Sequence, residues 1–140
     1  MHLELITLRG KKVDQEIYEV TIPTETGPIA IFPSHEALVT IAVPGAMAIR
    51  HHQDDSDEKL EYLAITGGVV KVSNDEVRIL VDEADHSDDI VEEETKAALD
   101  RALELRKNAK SQVELEKAIE LVDRHAVRLK VAGLRRRKRA

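Results

Sequence analysis

The feature that most constrains this chain is a change of hydrophobic period near residue 86. Up to about Asp82, apolar and polar residues alternate. "YEVTIP" sets Tyr18, Val20 and Ile22 on one face with Glu19 and Thr21 on the other, and "EVRILVD" repeats the pattern with Val77, Ile79 and Val81. "LELITL", "IAIF", "ALVTIAV", "AMAIR", "YLAIT" and "VVKV" are further short segments of this kind, bounded by Gly, Pro and Asn-Asp turns. Short runs of period two at regular spacing predict antiparallel strands closed into a sandwich or barrel. The polar run "HHQDDSDEK", His51 to Lys59, reads as a solvated hairpin loop, and Gly67-Gly68 as a bulge or a close backbone approach.

After Asp85 the helical period takes over. Asp88 or Asp89 is the expected N-cap, with Glu92, Glu93 and Glu94 in the first turns where the helix dipole favours anions. Val91, Ala98, Ala102, Leu105 and Ala109 form one stripe. "SQVE" has Ser111 and Glu114 at capping-box spacing, and the second helix lines up Leu115, Ala118, Ile119, Val122, Ala126 and Leu129, with Gly133 as its expected stop. The chain thus reads as α+β: a β-sandwich or barrel over residues 1–86 followed by an antiparallel two-helix hairpin with a basic tail over 87–140. A hairpin whose seams are half alanine buries little and is expected to lean on the sandwich or on a partner.

Composition narrows the chemistry. Aromatic residues make up 2% of the chain and cysteine is absent, which leaves few stacking anchors and removes disulfides, thiolate metal sites and cysteine nucleophiles. The six histidines fall into no triad or HExxH spacing, and neither a Walker loop nor GxGxxG is present, so no catalytic residue is assigned. His51 and His52 beside Asp54, Asp55 and Asp57 read as a solvated loop, and no metal site is assigned either. No apolar run reaches bilayer length, and Met1-His2-Leu3-Glu4 lacks a basic leader, so a membrane is expected to be met only indirectly. The net charge is −6 although Arg135, Arg136, Arg137, Lys138 and Arg139 crowd the end, so the body is more acidic still. Such a body repels nucleic acid and suits its basic tip to an acidic protein surface.

One stretch combines stiffness with apolar character. In "TETGPIAIFPSHEALVTIAVPG" two Pro-containing turns flank Pro33, and His35 stands at a corner beside Ile31, Phe32 and Leu38. Together with "YLAITGGVVKVSNDEVRILVDEA" and two charged, Ala-rich helices, this stretch closely resembles the epsilon subunit of bacterial F-type ATP synthase, the delta subunit of mitochondria, over nearly the whole chain. The resemblance implies a non-catalytic central-stalk subunit, peripheral on the cytoplasmic face of the bacterial membrane. Such a subunit binds gamma and the c-ring, couples proton flow to rotation, and restrains ATP hydrolysis through contacts with the alpha and beta subunits. On that likeness Gly27, Pro28, Ile31, Phe32, Pro33 and His35 are the contacts to gamma and the c-ring, and Arg124, Arg128, Lys130 and the Arg135 to Arg139 cluster are the inhibitory contacts. Family members often carry glycine where this chain has Ala30 and Ser34 and proline where it has Ala37, and some carry an acidic residue where it has Pro28. Some bind ATP through an Ile-Asp-x-x-Arg-Ala motif; aligned on Ile90, this chain has Val91, Glu94 and Thr95 at the last three specified positions. Glu94 in place of a cation opposes a polyphosphate, so no nucleotide cofactor is expected. The alternative from the residues alone is a β-sandwich adaptor whose hairpin binds another protein or nucleic acid.

Overall fold

The computed structural model describes the backbone of residues 1–139 and the side-chain surroundings of residues 1–135. Ten strands come first: β1 (His2–Thr7), β2 (Gly10–Glu16), β3 (Glu19–Thr24), β4 (Gly27–Ile31), β5 (Leu38–Ala42), β6 (Gly45–Arg50), β7 (Glu61–Ile65), β8 (Gly68–Ser73), β9 (Glu76–Val81) and β10 (Ala84–His86). Two helices follow, α1 (Glu92–Lys107) and α2 (Gln112–Arg139). The strands run in the order β10-β7-β6-β3-β5-β8-β9-β1-β2, with β4 on β3. Their inner side packs into one core that includes Leu3, Leu5, Ile22, Met47, Leu63 and Ile79, all fully buried. The alternation read from Val20/Ile22 and Val77/Ile79/Val81 is the alternation that fills this core.

One pairing departs from the purely antiparallel expectation, and two strands are ones that the sequence reading did not include. β1 pairs in parallel with β9, His2 opposite Glu76 through Ile6 opposite Leu80. β2 and β10 carry no sequence signal of a strand. β2 buries only Val13, because it is an edge strand whose remaining side chains face water, and β10 is three residues long. Gly68 is the close approach expected of the Gly-Gly pair: a Cβ there would lie 1.9 Å from the Leu80 carbonyl oxygen. The 51–59 loop is held at its base by Arg50, whose guanidinium donates to Glu19 (2.8 Å), Asp57 (2.7 Å) and the Asp55 carbonyl (2.6 Å).

The hairpin lies folded against the sandwich, α2 on the outer side of β6 and β7 and α1 on α2. β7 is therefore covered on both faces: Leu63 and Ile65 enter the main core, while Ala64 joins Ile90, Val131 and Ala132 in a second, smaller one. The helix ends correct three expectations. Asp88 and Asp89 belong to a 3-10 turn (Ser87–Asp89), so Val91 is the N-cap of α1 and supplies no side-chain cap. α2 continues through Gly133 to Arg139, since no proline follows and a run of good helix formers does. The stripe of α1 is rotated: Leu105 is exposed, and Thr95 and Ala102 are buried, the Thr95 hydroxyl donating to the Val91 carbonyl (2.9 Å). At the start of α2 the Ser111 Oγ accepts the Glu114 N–H (3.1 Å) as expected, while the Glu114 carboxylate reaches back to the Lys110 N–H (2.9 Å).

Candidate functional site

The proline-rich stretch builds one rim of the sandwich. Glu25 and Thr26 form a two-residue turn between β3 and β4, closed by Gly27 at φ 115° and by a hydrogen bond from the Thr24 hydroxyl to the Gly27 carbonyl (2.5 Å). Pro23 and Pro28 sit opposite each other in this hairpin, and Pro28 faces water. Beyond β4, Phe32 packs edge-on against Tyr18 (centroids 5.8 Å apart, 67°) yet stays 42% exposed. Ser34 adopts φ 66°, a left-handed conformation that favours glycine, and its N–H donates to Asp75 Oδ1 (2.5 Å) in the β8–β9 turn. His35 donates from Nδ1 to the Glu36 carbonyl (2.7 Å). Of the six rim residues singled out in the sequence, Pro28, Phe32, Pro33 and His35 are exposed and Gly27 is half-buried. Ile31 is the exception: it is fully buried, because alternation along β4 turns it into the core with Ile29, so its side chain cannot reach a partner.

A second surface escaped the sequence reading. The rim runs directly into β5, whose outward residues Val39 and Ile41 are 70% and 64% exposed. Register sets Ile41 opposite Val69, Val69 opposite Leu80, and Leu80 beside Ile6, making an apolar row across β5, β8, β9 and β1 on the solvent side. The neighbouring row is Val39, Lys71, Arg78 and Glu4, with Arg78 and Lys11 both paired to Glu4 (3.1 and 2.8 Å). Val69 and Leu80 are each 45% exposed. The signal was there: β5, β8 and β9 carry aliphatic residues at both parities, which a sheet with one wet face does not need.

The basic residues of α2 are placed against the chain's own acidic groups. Arg124 lies 3.6 Å from Glu83, Arg128 3.8 Å from Asp85, and Arg135 3.8 Å from Asp88 while donating to the Ser87 carbonyl (2.6 Å). Lys130 is exposed. The side chains of Arg136, Arg137, Lys138 and Arg139 lie outside the described residues. Elsewhere Glu61 accepts from both His51 (2.7 Å) and His86 (2.8 Å). Among the described residues no cluster of histidine and carboxylate is arranged to hold a metal ion, and no helix is long and apolar enough to cross a membrane.

A sandwich of this topology with a helical pair folded on its outer side can be compared with known proteins. The family model described as ATP synthase, Delta/Epsilon chain, beta-sandwich domain, matches residues 1–87. The chain belongs to the ATP synthase delta/epsilon chain family. Over 97% of its length it is 32% identical to the ATP synthase epsilon chain of Herpetosiphon aurantiacus, 96% of which is covered. Over 93% of its length it is 29% identical to the chloroplastic epsilon chain of Pelargonium hortorum, again with 96% covered. Both alignments extend past the sandwich into the helices. In shape the chain is similar to one in the Euglena gracilis mitochondrial ATP synthase, solved as OSCP, F1 and c-ring, with a TM-score of 0.77 over 94% of this chain and 79% of that one. At 22% identity that likeness speaks for the fold alone.

Proposed function

We propose that this delta/epsilon family member works as a non-catalytic rotor subunit in the central stalk of an F-type ATP synthase. It joins gamma to the c-ring on the cytoplasmic face of the membrane, and the hairpin acts as a brake on ATP hydrolysis. The observation that carries the reading is the wet apolar row Ile41–Val69–Leu80, continuous through β5 with the proline-braced rim. A part that transmits torque needs a contact already shaped before docking, and strand-borne aliphatics beside fixed-φ prolines lose little freedom when they are covered. Ile41→Asp or Leu80→Asp places a carboxylate where gamma would seal the face. Each is expected to weaken assembly about 100-fold, a cost of about 3 kcal/mol for an unpaired buried charge. Co-purification with gamma and the catalytic subunits measures this, with the circular dichroism of the free chain unchanged. Full assembly by both variants would remove the row from the interface.

The brake is supported by Arg124, Arg128 and Arg135, whose acidic partners at 3.6–3.8 Å are loose enough to exchange for others. Deleting residues 134–140 should raise hydrolysis in the assembled complex; unchanged hydrolysis with assembly intact leaves the tail without that role. Glu94, exposed near the start of α1, opposes a polyphosphate there. Titration calorimetry on the free chain should detect no saturable ATP binding at micromolar concentration, and such binding would overturn this part of the reading.

A further inference from the structure

The described residues include three non-glycine residues at positive φ, Ser34 (66°), Asn74 (51°) and Asp75 (60°), and all three meet at one point. Asn74 and Asp75 are the two central residues of the turn that joins β8 to β9, closed by the pair Ser73 and Glu76. Left-handed φ at both marks the hairpin turn whose twist suits its strands. The turn is also tied to β1, because the His2 N–H donates to the Asp75 carbonyl (2.9 Å). The Asp75 carboxylate is thus presented from a fixed backbone, and across 41 residues of sequence it accepts the Ser34 N–H (2.5 Å). Asn and Asp tolerate a left-handed backbone, whereas serine adopts it at a steric cost. Ser34 is also the soft joint of its loop. Pro33 has its own φ fixed and confines Phe32 to extended backbone, and Leu38 is already in β5 opposite Val72. The direction in which the chain leaves Pro33 is therefore set at residue 34.

We propose that Asp75 is a positioning residue for the docking rim: by holding Ser34 left-handed it fixes the corner on which Phe32, Pro33 and His35 are exposed, and it ties that corner to the two strands that carry Val69 and Leu80. A charged acceptor on the Ser34 N–H offsets the steric cost of the serine's conformation. Rim and apolar row are then held in one shape before any partner arrives, and less freedom is lost on docking. Glycine at position 75 would suit the turn at least as well and would supply no acceptor, so the carboxylate serves the rim and not the turn. That the rim meets gamma and the c-ring rests on the function proposed above; the link from Asp75 to Ser34 does not.

Asp75→Gly separates the two roles. In the free full chain the urea midpoint should stay close to the parent value, because glycine suits a left-handed turn. Exchange of the Ser34 amide should nevertheless become about five-fold faster while Val77 and Ile79 keep their protection, and binding to the ATP synthase complex stripped of this subunit should weaken about five-fold. Asp75→Asn keeps an acceptor and should fall between that variant and the parent. In a Ser34→Gly background the loss caused by Asp75→Gly should shrink to about two-fold or less, since glycine needs no support to turn left-handed. An unchanged Ser34 amide in Asp75→Gly, or binding that weakens only in proportion to a fall in the urea midpoint, overturns the proposal. Phe32→Ala, measured alongside, reports on the rim as a contact. Full binding by that variant overturns the rim reading and the proposal with it, whereas weakened binding by Phe32→Ala beside parental binding by Asp75→Gly overturns the positioning role alone.

Discussion

Leu3, Leu5, Ile22, Met47 and Ile79 are sealed inside the sandwich, whereas the seam beneath the hairpin is made of Ala64, Ile90, Val131 and Ala132. A fully buried Leu, Ile or Met contributes about 1.5–3 kcal/mol through removal of its surface from water, and an alanine only a fraction of that. The hairpin also leaves Leu105, Val113 and Ile119 exposed, and its ion pairs to the sandwich are long and partly solvated. One half of the molecule is therefore built to keep its shape and the other to be released.

The comparison breaks most visibly at Gly68. Gly68→Val would drive a side chain into the Leu80 carbonyl and should destabilise the sandwich by about 4 kcal/mol or more, read as loss of the cooperative urea transition. If the hairpin were an equal partner in stability, Val131→Asp would be as damaging. Instead, a carboxylate in that fully buried position should undock α2, lowering amide protection in both helices about 100-fold while β1, β8 and β9 keep theirs. Equal loss of protection in strands and helices would show that the two halves unfold as one. The smallest effect sharpens the stiff side of the contrast. Ser34→Gly relieves a left-handed serine on the rim and should raise the urea midpoint, a gain of about 0.5 kcal/mol, without altering helix protection.

The two-period reading placed the sandwich and the hairpin because alternation at Val77, Ile79 and Val81 and the helical spacing after Asp85 report burial directly. The close approach at Gly68 and the Ser111 cap were legible for the same reason: each is a local steric or hydrogen-bonding requirement. Ile31 was misjudged although "IAIF" reads as a strand, because strand parity decides which side chain is wet and the parity of Ile29 and Ile31 turns both toward the core. Asp88 and Asp89 failed as caps because Ile90 had to turn into the second core, which delays the helix. The Arg124 and Arg128 contacts were invisible to any local pattern, since they depend on where α2 comes to rest. The glycine preference that the family resemblance pointed to at Ser34 has a physical cause, a φ of 66°.

The parallel pairing of β1 with β9 also governs the order in which the molecule can be made. Leu3 and Leu5 lie opposite Val77 and Ile79, so the first strand synthesised gains its second neighbour only when the ninth has been made. Until Val81 has left the ribosome, β1 can only hold β2, with its other backbone edge bare and ready to pair with the wrong chain. Nascent chains stopped before that point are expected to need a chaperone, and those a few residues longer to close the sheet unaided, before either helix has been translated.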